Sequence, residues 1–295
     1  MSFEKLNDQH VPASGEIFLD TSIHCSRLKG TPFRERIDSI LSLFQWQSTS
    51  TYTLVEFGNV VLATAEYYLR KLDELKSLEK VRSHIGNVLQ PQWHQQKITW
   101  AFNLLNEFGK DDSECTERAR LSLRRLMKTG LAFVEQQCDQ PLANGTECYW
   151  AQRGVRQRND GRLVWTSPKC SPDHKRCRVD DFFLDHLDTF KRIKTAIDGL
   201  PDDKLTKQLR GFSEVIGQAE KDPTVLLDYR TGCKRMADAI IAVESLPFRN
   251  FFSQNIAESE ILTRVLEQTF YYLPPNDSKG VLVRLSTPEV TPDSS

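Results

Sequence analysis

What most constrains this chain is a pair of short apolar runs about 230 residues apart, each leading into an acidic residue. Glu16-Ile17-Phe18-Leu19 runs into Asp20, and Phe248-Arg249-Asn250-Phe251-Phe252-Ser253 leads on to Glu258. Both read as buried strands. The expected whole is an α/β domain with a small parallel-type sheet built from both ends of the chain, so the two ends must meet. The residues between them then serve as crossover or insertion. In an open α/β sheet, ligands bind beyond the carboxyl ends of the strands, and both acids stand there.

The intervening chain is mainly helical by its apolar spacing. Pro32 opens a helix to about Gln47, with Ile37, Ile40, Leu41 and Phe44 on one face. Thr53 and Glu56 have capping-box spacing at the start of a long helix from Leu54 through Tyr67, Leu69, Leu72 and Leu75. Further helical stretches fall near 93–109, 113–137, 181–199 and 202–220, with a short strand at Val225-Leu226-Leu227. Gly232–Glu244 reads as a helix carrying Asp238 near its start, and a last helix lies around Ile261–Leu266. Beyond Pro274 the composition predicts a mobile tail, apart from the apolar Val281-Leu282-Val283.

Hydrophobic residues at 39% and charged residues at 27% exclude a disordered polyelectrolyte and a membrane-embedded chain. No run of apolar residues is long enough for a membrane span or an export signal, so the cytoplasm is the expected location and no membrane partner is expected.

Asp20, Glu56, Asp238 and Glu258 each stand at the end of an apolar element, where a side chain emerges from the core. Each acid alone also fits a structural role: Asp20 as a cap, Glu56 in a capping box, Asp238 as a solvated acid in a first helical turn, and Glu258, close to Glu260, as an ordinary surface acid. Crowded together, carboxylates raise one another's proton affinity unless a cation neutralises them. Hard divalent ions such as Mg2+ or Mn2+ suit such oxygens and promote phosphodiester hydrolysis.

Four strings carry a resemblance: Ile17-Phe18-Leu19-Asp20-Thr21-Ser22, Glu56 opening a helix after a Ser/Thr stretch, Asp238-Ala239-Ile240-Ile241-Ala242, and Ser253-Gln254-Asn255-Ile256-Ala257-Glu258. Together, and in this order, they resemble the PIN domain of metal-dependent ribonucleases. The resemblance covers about 16–72 and 225–264. It implies an α/β fold with a small parallel sheet and helices on both faces. Asp20, Glu56, Asp238 and Glu258 would hold Mg2+ or Mn2+, with Asp228 as a substitute for Glu258, and Thr21, Ser22, Ser253 and Asn255 would hydrogen-bond around them. The implied activity is endoribonuclease cleavage of RNA. The competing reading keeps the fold as a nucleic-acid or protein-binding module without useful catalysis. Toxin-like members of the family are held by an inhibitory protein, which makes a complex-forming partner a further expectation.

The expected organisation is a discontinuous PIN-like domain over 1–85 and 222–272, a mainly helical insertion over 86–221, and a tail over 273–295. Within the insertion, 137–180 is turn-rich and holds Cys138, Cys148, Cys170 and Cys177, four of the seven cysteines. Four thiolates, or three with His174, could hold zinc and stabilise a piece too small for its own core. The alternative is four reduced cysteines in a loop. Net charge is only −1, yet Arg118–Arg178 carries thirteen Lys and Arg against five Asp and Glu. Arg153, Arg156, Arg158, Arg162, Lys175 and Arg176, interleaved with Tyr149, Trp150 and Trp165, suit RNA phosphates and bases, or a protein contact.

Overall fold

A computed structural model describes residues 4–5, 15–28, 31–88, 113–139, 143–148, 154–165, 177–228, 231–274 and 282–284. The expected helix at 93–109, together with Arg153, Cys170, His174, Lys175 and Arg176, lies outside the described residues. The strands are β1 (Glu4–Lys5), β2 (Glu16–Leu19), β3 (Trp46–Ser48), β4 (Val155–Gln157), β5 (Leu163–Trp165), β6 (Asn250–Ser253), β7 (Thr269–Tyr272) and β8 (Leu282–Arg284). The helices are α1 (Thr21–Arg27), α2 (Thr31–Leu41), α3 (Thr51–Phe57), α4 (Ala63–Leu75), α5 (Leu78–Val88), α6 (Ser113–Gln136), α7 (Val179–Asp185), α8 (Leu187–Asp198), α9 (Lys207–Ala219), α10 (Ala237–Glu244) and α11 (Ile256–Val265).

The two ends of the chain do meet. β2 and β6 are adjacent parallel strands, with Phe18 beside Phe251. One sheet runs in the order β1-β8-β7-β6-β2-β3; its β7, β6, β2 and β3 are parallel, while β8 and β1 pair antiparallel. The fold is therefore α/β, with a four-stranded parallel sheet flanked by helices, and is compatible with a PIN-like arrangement. Strand β2 leads through α1 and α2 to β3 on one side, and its other neighbour is β6. Strand order thus reverses at β2, and the crevice outside its carboxyl end is the place where such sheets bind ligands.

Strand alternation sorts the core into two faces. Ile17, Leu19, Phe252 and Tyr271 pack with Ile23, Ile37, Ile40, Leu41 and Phe44 under α1 and α2. Phe18, Phe251 and Phe270 turn the other way into a larger core with Phe183, Phe190, Phe212 and Ile240. At roughly 1.5–3 kcal/mol for each fully buried large apolar side chain, these faces hold the sheet in register. Leu54 and Phe57 of α3 enter a separate helical core with Val61, Tyr68, Leu72, Leu123 and Trp165, whereas Tyr52 and Val55 enter the sheet core. The α3 helix is consequently pinned from two sides. No helix among the described residues is long and apolar enough to cross a membrane.

Several local expectations are corrected. The helix after Pro32 stops at Leu41; Phe44 keeps its helical spacing only because a tight turn brings it back onto Tyr271, at 5.2 Å between ring centroids. The following residues form β3, a strand whose outer position in the sheet left little hydrophobic pattern to read. The capping box at Thr53 and Glu56 does not form. Ser50 is the N-cap, its Oγ accepting the Thr53 amide at 3.1 Å, so the helix begins three residues earlier and Glu56 takes no capping role. Val225–Leu227 lies in a 3-10 turn, Pro223–Leu227, because Pro223 presets φ and the Asp222 carboxylate accepts the Thr224 amide at 3.0 Å. The expected seam near 221 is no break in packing, since Phe190 and Phe212 share the core of Phe251 and Ile240. β8 falls on the apolar Val281–Val283 segment of the expected tail.

Candidate metal centre

Asp20 leaves the carboxyl end of β2 and caps α1. Its Oδ2 accepts the Ser22 amide at 3.4 Å, the Ser22 hydroxyl at 2.6 Å and the Ser253 hydroxyl at 2.7 Å. The capping role and the site role are thus one arrangement: the hydrogen bonds gather on Oδ2, and the carboxylate is fixed at the crevice between β2 and β6. Ser253 Oγ also accepts the Asn255 amide at 2.9 Å, and Ser22 Oγ accepts the Gln254 amide at 2.9 Å, which ties α1 to the chain leaving β6.

Glu56 is brought in by α3, where the Thr21 hydroxyl donates to its Oε2. Asp238 comes from the first turn of α10, a helix whose Ala239, Ile240, Ile241, Ala242 and Val243 are all buried. Tyr52 of α3 donates its hydroxyl to the Cys233 carbonyl at 2.9 Å, linking the helix of Glu56 to the turn that precedes Asp238. As a result, Asp20, Glu56 and Asp238 each offer a carboxylate oxygen, all within 4.8 Å of one another.

The electrostatics are those of an anionic cluster. Burial, followed by the charges of Glu56, Asp20 and Glu258, holds the Asp238 carboxyl well above the usual carboxylate range. The donor set is oxygen-only, the chemistry of a hard divalent cation. Its spacing is on the scale of the roughly 4.2 Å spanned by two oxygens on opposite sides of an ion at about 2.1 Å. These residues fit such an ion.

Glu258 is outside the group of three. It is buried in the first turn of α11 and accepts the Thr206 hydroxyl at 3.0 Å, so it acts on the cluster through its field. Asp228, the expected substitute, is exposed and accepts the Thr231 amide at 3.2 Å. Thr21 hydrogen-bonds Glu56, and Ser22 and Ser253 hydrogen-bond Asp20. Asn255 contributes its backbone amide and sits at the N-cap of α11 without a side-chain capping bond. Sequence reading missed Gln208, whose amide donates to Asp238, and Thr206, which both caps α9 and binds Glu258. A cap before a helix was the sole signal for Thr206; Gln208 is an exposed polar residue with no pattern around it.

Of the residues expected to hold zinc, Cys170 and His174 lie outside the described residues. Among the described residues, Asp20, Glu56 and Asp238 are the one group of three side chains that could hold a metal ion. Cys138, at the end of α6, donates to the Val134 carbonyl at 3.6 Å, and burial pushes its thiol up to about 12. Cys148 is buried in the sheet core and Cys177 packs against that core. Arg156, Arg158 and Arg162 are exposed on the β4–β5 hairpin.

A scan against protein-family models, a search of curated proteins and a search of solved structures each return no significant match.

Proposed function

We propose that this protein is a metal-dependent nuclease that hydrolyses phosphodiester bonds and acts on RNA as an endoribonuclease. The supporting observation is the convergence of Asp20, Glu56 and Asp238 from three remote segments on one crevice at the strand-order reversal. Like charges this close favour a cation, and oxygen ligands favour Mg2+ or Mn2+. When bound, such an ion supplies Lewis acidity toward the phosphate and an activated water. Asp20, Glu56 and Asp238 would hold it.

The chain's own part is preorganisation. Ser22 and Ser253 fix Asp20, Thr21 orients Glu56, and buried α10 fixes Asp238. Glu258 adds negative potential without joining the three. Nearby His24 is buried, and burial lowers its pKa to about 3, so it remains neutral and offers no proton at physiological pH. The choice of RNA over DNA rests on the PIN-like resemblance.

The test is cleavage of labelled RNA with Mg2+ or Mn2+, repeated with EDTA and with Asp20→Asn and Asp238→Asn. The reading requires both chelation and either substitution to reduce cleavage by a hundredfold or more. Cleavage indifferent to all three would overturn it, and RNA binding without cleavage under any condition would favour a binding module.

A further inference from the structure

The β4–β5 hairpin is fastened to the helical rod that carries Glu56. That rod runs without interruption from α3 through a π-helical turn, Gly58–Leu62, into α4; the Ala63 amide donates to the Gly58 carbonyl, the wide spacing of a π turn. Trp165 of β5 seats on this turn. Its indole Nε1 donates to Asn59 Oδ1 at 3.0 Å, and its backbone amide donates to Glu66 Oε2 at 2.7 Å. A Cβ added at Gly58 would come within 2.2 Å of the Trp165 ring, so glycine is what permits the ring to lie against the rod.

The hairpin's two faces differ in chemistry. Pairing sets Val155 opposite Trp165, Arg156 opposite Val164 and Gln157 opposite Leu163, and the Arg158 amide donates to the Arg162 carbonyl at 2.8 Å. Alternation then places Val155, Gln157, Leu163 and Trp165 on one face. Three of these, Val155, Gln157 and Leu163, line a cleft with Met127, Lys128 and Leu131 of α6. Arg156, Arg158 and Arg162 share the opposite face and are exposed. Positions two apart along a strand are about 6.7 Å from one another. Asp160 lies 3.4 Å from Arg162, and so exposed a pair contributes little.

We propose that this hairpin is a substrate arm: Arg156, Arg158 and Arg162 take consecutive phosphates of a single-stranded RNA, and Trp165 is the positioning residue that keys the arm to the helix of Glu56. The proposal deepens the nuclease reading and rests on it for the role of the crevice. Binding itself requires no metal, which allows the two to fail separately.

The experiment measures binding of a labelled single-stranded oligoribonucleotide to the full chain in EDTA, across a salt series. The combined variant Arg156→Glu, Arg158→Glu, Arg162→Glu is compared with a control reversing the exposed Lys191, Lys204 and Lys221. The arm variant is expected to bind at least tenfold more weakly, with a salt slope shallower by about 2, since each lost phosphate contact on a single strand removes roughly 0.7. Trp165→Ala should raise KM for cleavage with Mn2+ affinity unchanged while lowering the melting temperature, because the ring is buried in the helical core, and Trp165→Phe, which keeps an aromatic ring against Gly58, should recover part of both losses. Arm-variant binding within twofold of wild type, an equal loss in the lysine control, or tighter binding of duplex DNA than of RNA would overturn the arm. Wild-type binding that depends on the arginines but is never followed by cleavage would overturn the nuclease and leave the arm standing.

Discussion

At the scale of single residues, the site is a balance of repulsion against preorganisation. Asp238 ionises against burial and three neighbouring carboxylates, so its proton affinity is raised in the folded chain. An acid whose folded pKa lies above its unfolded value, near 3.9, stabilises the fold at pH below that value and loses this contribution as pH rises through the folded pKa. Asp238→Asn should therefore raise the melting temperature of the metal-free protein at pH 7–8, with the gain vanishing near pH 3. In saturating Mn2+ the order reverses, because the wild type gains ion-binding energy that the variant has lost. Thermal melts at both pH values, with and without Mn2+, check this. An unchanged metal-free melting temperature at pH 7–8 would show that the carboxylates do not strain the fold.

At the scale of elements, a second buried acid sets a different pH response. Glu244, at the end of α10, is buried, and its Oε1 accepts both the amide and the hydroxyl of Thr146 at 3.2 Å, fastening the 143–148 loop to the helix. The same loop holds the start of α3, where the Thr51 amide donates to the Ala143 carbonyl at 2.8 Å and the Ala143 amide to the Thr49 carbonyl at 2.9 Å. Burial raises the Glu244 carboxyl to about 7. Its contribution is full below about 4.5 and is lost as pH rises through 7, a difference of roughly 3 kcal/mol. Denaturant unfolding should show wild-type stability falling between about pH 4.5 and 7 and levelling off above, and Glu244→Gln should flatten that fall while preserving the acceptor for Thr146. A decline of equal size in the variant would assign the pH dependence to other groups. Elements also show where pattern reading stopped: α4, α6 and α10 were legible because their apolar spacing faces a core, whereas β3 and the Ser50 cap depended on neighbours no local window contains.

At the scale of the whole molecule, the parallel sheet joins the first strand of the core to strands more than two hundred residues later, and β6 sits at its centre between β2 and β7. Removing residues 245–295 takes away β6, β7, β8 and α11 together, and the expected result is loss of the cooperative melt and of the near-ultraviolet signal of packed aromatics. A truncated chain that still melts cooperatively would mean the helical core around Leu54, Tyr68 and Leu123 folds by itself. By itself the sequence determined the α/β class, the meeting of the chain ends and three of the acids that gather, because strand burial and acids at element ends are properties of short windows. Tertiary structure alone decided that Glu258 turns to Thr206 outside the trio and that Trp165 fastens a basic hairpin to the Glu56 helix. Those outcomes depend on how separate elements pack against one another, and side-chain direction across such contacts is written in no single stretch of residues.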